Sequence, residues 1–314
     1  MKTSVRQNSV NALFKAGGFM PLIMLEVKNL TISFCHRRSS SFRGKLQEKK
    51  AVAVNRVSFS MEAGEILGIV GESGSGKSTV ALALAGLLKR EALIEEGAID
   101  LGIDDLDLLS LNEKQRKAYR GNYVGMVFQE PMSALNPTMK IGKQVEEALV
   151  LHTSLSKHER KEEVLKALRD VELGQPEKIY HQYPHELSGG MRQRVLIAAA
   201  MICHPLLLIA DEPTTALDVD TQKEILKLLK KMNQRYGMGI LFISHDLHVI
   251  NEICDRVLVM KDGHIVERGN VREVLTSPAH PYTQMLIDAV PKHTERQVTY
   301  QTIGGDQDGD IASK

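Results

Sequence analysis

Nine consecutive residues, Gly71-Glu72-Ser73-Gly74-Ser75-Gly76-Lys77-Ser78-Thr79, carry the pattern G-x-x-x-x-G-K-[ST]. Such a run binds phosphate. Its glycines let the backbone turn sharply and bring successive N–H groups toward anionic oxygens, and a helix opening near Lys77 adds the partial positive charge of its N-terminus. Lys77 then reaches the β/γ-phosphates, and the Ser78 hydroxyl serves Mg²⁺. The four fixed positions match by chance about once in 30,000 windows. An ATP or GTP site is the reading, set against a plain glycine turn between a strand and a helix.

Three further stretches carry chemistry of the same kind. Leu206-Leu207-Leu208-Ile209-Ala210 is closed by Asp211-Glu212-Pro213. Asp211 there holds Mg²⁺ through water, and Glu212 orients or deprotonates an attacking water; a helix-start cap is the plain alternative. Gly239-Ile240-Leu241-Phe242-Ile243 ends in Ser244-His245-Asp246, where a histidine can sense a γ-phosphate and its nucleophile or be merely structural. Ser188-Gly189-Gly190, at the head of a helical run, is a second anion cradle. Two cradles in one chain suggest a shared nucleotide.

The elements that must position these residues are legible from their patterns. Glu65–Val70 is an apolar strand ahead of the loop, and the runs before Asp211 and Ser244 read as central parallel strands whose C-terminal ends face the site. Leu25–Phe34 alternates in part and Ala51–Met61 reads as a second strand, so an antiparallel β portion is expected before the nucleotide core. Gly97–Leu101 and Tyr123–Phe128 are further strands. From Ile141 to about Leu173 apolar residues recur at helical spacing amid many charges, which indicates an α-rich insertion over about 130–205. The basic, serine-rich stretch from His36 to Lys45 is expected to be a solvated loop, with contact to lipid headgroups or a partner as the alternative.

Composition limits the classes available. Forty Lys and Arg stand against 39 Asp and Glu among 314 residues, so no global charge marks a nucleic-acid surface. Cys35, Cys203 and Cys254 form no C-x-x-C pair, which suits a reducing cytosol rather than a disulfide framework or zinc site. No window of about 18 consecutive apolar residues occurs, so membrane association is expected through a partner. Lys15 and Pro21 interrupt the apolar residues of the first 24, which are expected to form a disordered extension rather than a signal peptide. The polar tail 292–314 is also expected to be disordered.

Leu187-Ser188-Gly189-Gly190-Met191-Arg192-Gln193-Arg194 resembles the signature motif of ATP-binding cassette (ABC) proteins, and the other motifs stand in that family's order across roughly residues 25–291. The resemblance implies an α/β fold: a P-loop NTPase cassette with a RecA-like core, an antiparallel β subdomain and an α-helical insertion. It makes Phe34 the aromatic that stacks on adenine, and Gln129 the glutamine that joins Ser78 and Asp211 at Mg²⁺ and couples the site to a membrane partner. It makes Glu212 the general base, His245 the switch histidine and Ala216-Leu217-Asp218 the dimer-contacting loop. Leu187, Ser188, Gly189, Gly190 and Gln193 then contact ATP held by another cassette, two ATPs being sandwiched head to tail.

Gln129-Glu130-Pro131-Met132-Ser133-Ala134-Leu135-Asn136-Pro137 and Ser277-Pro278-Ala279-His280-Pro281-Tyr282-Thr283, the latter inside a C-terminal segment over about 262–291, resemble the ATPases of dipeptide, oligopeptide and nickel importers. That resemblance implies two integral membrane permease subunits, a second ATPase chain of the same or a different kind, and indirectly an extracytoplasmic solute-binding protein. Peptide is the first-choice solute, and nickel or a metal–chelator complex the second. The expected place is the cytoplasmic face of the membrane. No cysteine follows Cys254, so the iron–sulfur site of several relatives is not expected. A soluble ABC protein acting on DNA or ribosomes is the rival class. Such proteins usually show a long coiled-coil insertion, zinc-binding cysteines or two cassettes in one chain, and the about 110 residues between Lys77 and Ser188 leave no room for a long arm.

Overall fold

A computed structural model describes residues 23–38, 47–102, 107–129 and 131–289. Its main sheet is six-stranded in the order β5-β6-β7-β3-β8-β9, formed by β3 (Ile66–Val70), β5 (Val124–Val127), β6 (Leu207–Asp211), β7 (Gly239–Ile243), β8 (Arg256–Lys261) and β9 (His264–Asn270). All its pairings are parallel except that of β8 with β9. Every residue of β3, β6 and β7 is buried, as a parallel sheet covered on both faces requires. Alternation along each strand then feeds two cores. Ile66, Val70, Leu208, Ala210, Ile240 and Phe242 join one cluster, while Leu67, Ile69, Leu207, Ile209, Leu241 and Ile243 join the other.

The first cluster is capped by the helical layer: Ile141–His152, Lys157–Asp170, Pro176–His181 and Gly189–Met201. Helices were expected in this region. Val145, Leu149, Val164, Leu165, Leu168 and Val171 are all buried, as their spacing suggests. The second cluster lies against the loop helix Lys77–Leu84 and a three-stranded antiparallel sheet ordered β2-β1-β4, with β1 at Ile23–Arg38, β2 at Gln47–Glu62 and β4 at Ala92–Asp100.

Several boundaries differ from the sequence reading, among them that of β4, which starts at Ala92 rather than Gly97. β1 begins at Ile23, not at Leu25, because Met24 is 7% exposed and its terminal methyl lies where a side chain at Gly239 would stand. The basic stretch is not loop throughout. β1 runs on to Arg38 and β2 starts at Gln47, so the hairpin arms carry His36-Arg37-Arg38 in register with Lys49, Glu48 and Gln47. Residues 39–46 lie outside the described residues, as do the N-terminal extension through residue 22 and the tail from residue 290. The β8–β9 hairpin was missed. Its signals were the apolar run Val257–Met260 and the turn Asp262-Gly263, whose φ values of 48° and 80° match a tight hairpin turn.

Candidate active site

The parallel register brings four strand ends level. Ile69 pairs with Ile243, Ile243 with Asp211, and Ala210 with Val127, so the loop after β3, the acids ending β6, His245 after β7 and Gln129 after β5 emerge along one edge. That is where ligands bind in open α/β sheets.

The loop's shape depends on missing side chains. Gly76 caps the helix Lys77–Leu84 at φ 103°, and a Cβ on it would stand 2.5 Å from the Ala53 carbonyl oxygen; at Gly71, φ 154°, the gap to the Met260 oxygen would be 2.1 Å. Neither site admits another residue. Ser75 is buried, and its carbonyl oxygen accepts the Gly263 N–H at 3.1 Å. Glu72, Ser73 and Gly74 make the turn, and Thr79 lies in the first turn of the helix. Lys77 is 5% exposed, and its Nζ donates to the carbonyls of Gly71 at 2.7 Å and Glu72 at 2.9 Å. Burial lowers the Lys77 pKa, against the carboxylates of Glu212 and Asp211.

Ser78 Oγ donates to Asp211 Oδ1 at 3.3 Å. Burial raises the Asp211 pKa, with the Ser78 hydroxyl opposing. One residue on, three side chains meet a single carboxylate: Gln129 Nε2 and Thr215 Oγ1 each donate to Glu212 Oε2 at 2.9 Å, and His245 Nδ1 lies 3.1 Å from Oε1. Glu212 itself sits at φ 47°, a strained position for a residue with a Cβ. Its own N–H extends the ladder to the Ile243 carbonyl at 2.9 Å. Thr215 was not singled out from the sequence, since a threonine three residues past an acid has no distinctive signal.

Phe34 lies in β1, half-buried and flanked in register by Ala51 and Ala92, so neither neighbouring strand puts a bulky side chain beside it. Ala53, two residues along β2 from Ala51, is the contact at Gly76. The signature residues join a different group. Ser188 caps the helix Gly189–Met201 by accepting the Met191 N–H, and at Gly190 a Cβ would stand 2.6 Å from the Thr221 methyl. Thr221 in turn is held by Asp218, which accepts its N–H at 3.0 Å and its hydroxyl at 2.8 Å. Leu187 is buried, and Gly189 faces Leu217. Gln193 is fully buried, with neither amide atom hydrogen-bonded.

A phosphate loop, an acid pair and a strand-end histidine on one sheet edge define a P-loop nucleotide-binding protein. The family model for the ABC transporter matches residues 54–215, and that for the oligopeptide/dipeptide transporter C-terminal region matches residues 266–312. The chain is 45% identical to the oligopeptide transport ATP-binding protein OppD of Escherichia coli (strain K12), over 90% of this chain and 80% of that one. It is 45% identical to the glutathione import ATP-binding protein GsiA of Shigella dysenteriae serotype 1, over 86% of this chain and 42% of that one. Among solved structures, a dimeric ATP-binding cassette in a post-hydrolysis state bound to ADP and Pi superposes with a TM-score of 0.66 at 31% identity, over 79% of this chain and 99% of that one. The chain belongs to the ABC transporter family of ATP-binding proteins, and its fold is the ABC cassette. Both relatives are named for peptide-like solutes rather than for nickel.

Proposed function

We propose that this chain is the ATP-hydrolysing subunit of a membrane importer that takes up peptides, working from the cytoplasmic face. The convergence of Gln129, Thr215 and His245 on the Glu212 carboxylate carries the hydrolytic part of this reading; the likeness to an oligopeptide transport protein over 90% of the chain supports the solute. Lys77 Nζ donates to the Gly71 and Glu72 carbonyls, which a triphosphate displaces as the ammonium turns to the β/γ-phosphates. Glu212 takes a proton from the attacking water as the γ-phosphoryl leaves ADP, and His245 holds the γ-phosphate edge. Phe34 supplies a stacking face for adenine.

The Ser78 hydroxyl, the Asp211 carboxylate and the Gln129 side-chain amide oxygen are hard oxygen donors of the kind Mg²⁺ takes, and Ser78 and Asp211 already lie in contact. Bound there, Mg²⁺ would neutralise charge on the phosphate oxygens. Ser188, Gly189 and Gly190 close over ATP held by a second cassette, like or unlike this one, whereas Leu187 and Gln193, which the family resemblance also assigns to that contact, are buried inside their own chain. A groove of about 270 Å³ is lined by Leu87, Arg120, Gly121, Leu196 and Phe128, the residue before Gln129, with Phe128 41% exposed. This apolar opening suits a helix end from a permease subunit. Removing a positioned base costs about 10²–10⁴ in rate. Glu212→Gln is therefore expected to bind ATP while turnover falls by about that factor; turnover at the wild-type rate would overturn the assignment.

A further inference from the structure

Tyr282 stands 210 positions from Glu72 in the chain, yet its hydroxyl oxygen accepts the Glu72 N–H at 3.0 Å. The peptide group that donates is the one between Gly71 and Glu72. Its other end, the Gly71 carbonyl, accepts Lys77 Nζ at 2.7 Å. One peptide plane at the entrance of the phosphate loop is thus gripped from both ends, and hydrogen bonds linked through one amide polarise each other.

Tyr282 is itself well fixed. It is 4% exposed, and the Lys261 ammonium lies 4.9 Å from its ring centroid. It stands in the first turn of the helix Pro281–Asp288, where the His280 ring accepts the Tyr282 N–H at 3.1 Å. Just before that helix, the N–H groups of Ala279 and His280 donate to the two oxygens of Glu267 at 2.7 and 3.0 Å. Burial pushes the Glu267 carboxyl up, but the Thr283 side chain together with these two donors outweighs it and holds the carboxyl below its ordinary range. Glu267 lies on β9, past the turn whose Gly263 N–H meets Ser75 in the phosphate loop. Hairpin and C-terminal helix therefore touch the loop at two points and are tied to each other.

We propose that Tyr282 is a positioning residue of the nucleotide site: its hydroxyl fixes the Gly71–Glu72 peptide plane, so the C-terminal segment sets the loop's affinity for ATP. When Lys77 turns to the triphosphate it gives up the Gly71 carbonyl, and Tyr282 keeps hold of that plane. Without the hydroxyl the plane is free to rotate, and ATP binding must bear the cost of ordering it. This inference rests on the reading that Gly71–Thr79 hold the phosphates of ATP.

The test compares the full-length wild type with Tyr282→Phe, which keeps the ring and removes the hydroxyl. ATP affinity with Mg²⁺, the KM and kcat of hydrolysis, and amide hydrogen exchange across residues 67–78 are measured. Loss of one net hydrogen bond corresponds to about a three- to tenfold change in an equilibrium. We expect Kd and KM to rise by about that factor with kcat held, and faster exchange confined to the loop. A role in packing alone is served equally well by phenylalanine, so wild-type Kd and wild-type loop exchange in Tyr282→Phe would overturn the proposal. Failure of the wild-type chain to bind ATP would instead overturn the phosphate-loop reading, and this proposal with it; that result is read from the wild type alone.

Discussion

Glu212 pairs a strained backbone with a fully engaged side chain. A residue with a Cβ at φ 47° costs on the order of 1–3 kcal/mol, and such a conformation persists only where the surroundings over-determine it. Here they do, through the Ile243 carbonyl on its N–H and Gln129, Thr215 and His245 on its carboxylate. Thr215 is the one of these partners closest in sequence, and it aims the oxygen that Gln129 also touches. Thr215→Ala should lower kcat about three- to tenfold with little change in KM, the mark of a lost transition-state contribution; steady-state kinetics giving a wild-type kcat would remove Thr215 from this role. The acids themselves were legible because a phosphate loop precedes the apolar run they close; alone, Asp-Glu-Pro also suits a helix-start cap. Thr215 and Tyr282 were not, because their meaning depends on a turn and on a contact 210 positions long.

At the scale of elements, alternation and apolar runs revealed β3, β6 and β7 because each is buried on both faces, and helical spacing revealed the layer above them. What stayed hidden were features set by partners: the extra residues Ile23 and Met24 on β1, and the hairpin β8–β9 that braces the phosphate loop. Within the helical layer, Glu146 is 2% exposed and accepts Arg160 Nε at 2.8 Å and Lys143 Nζ at 2.9 Å, joining the helices Ile141–His152 and Lys157–Asp170. Burial raises the Glu146 pKa, but hydrogen bonds from Arg160 and Lys143 outweigh it, so the folded value lies below 4.5. A depressed carboxylate stabilises the fold above its unfolded pKa and loses that contribution as pH falls through the folded one. Glu146→Gln should destabilise the chain by about 2 kcal/mol at neutral pH, less than a fully enclosed pair because Lys143 is half-exposed. The difference from wild type should shrink as pH drops below 4.5; denaturant midpoints showing the same gap at pH 4 and pH 7 would contradict this.

Across the whole molecule the candidate residues fall into two groups. The phosphate loop, Gln129, Asp211, Glu212 and His245 share one sheet edge, while Ser188, Gly189 and Gly190 share the turn at Asp218 with the start of the helix Val219–Tyr236. The proposed function has a second cassette present its signature to this chain's phosphate loop, so that two half-sites become whole ones; the similar solved cassette bound to ADP and Pi is a dimer. Blocking the cradle with Ser188→Arg should leave ATP binding by the single chain within about twofold but abolish ATP-dependent pairing; pairing that survives this substitution, followed by sedimentation, would place the contact elsewhere.

The most direct measurement is purification of Glu212→Gln from detergent-solubilised membranes with ATP present, with identification of every protein recovered in stoichiometric amount. Two multi-span membrane proteins together with a second cassette, like or unlike this one, are expected, all retained while ATP is bound. Recovery of soluble partners or nucleic acid alone, without a membrane protein, would contradict the proposed function.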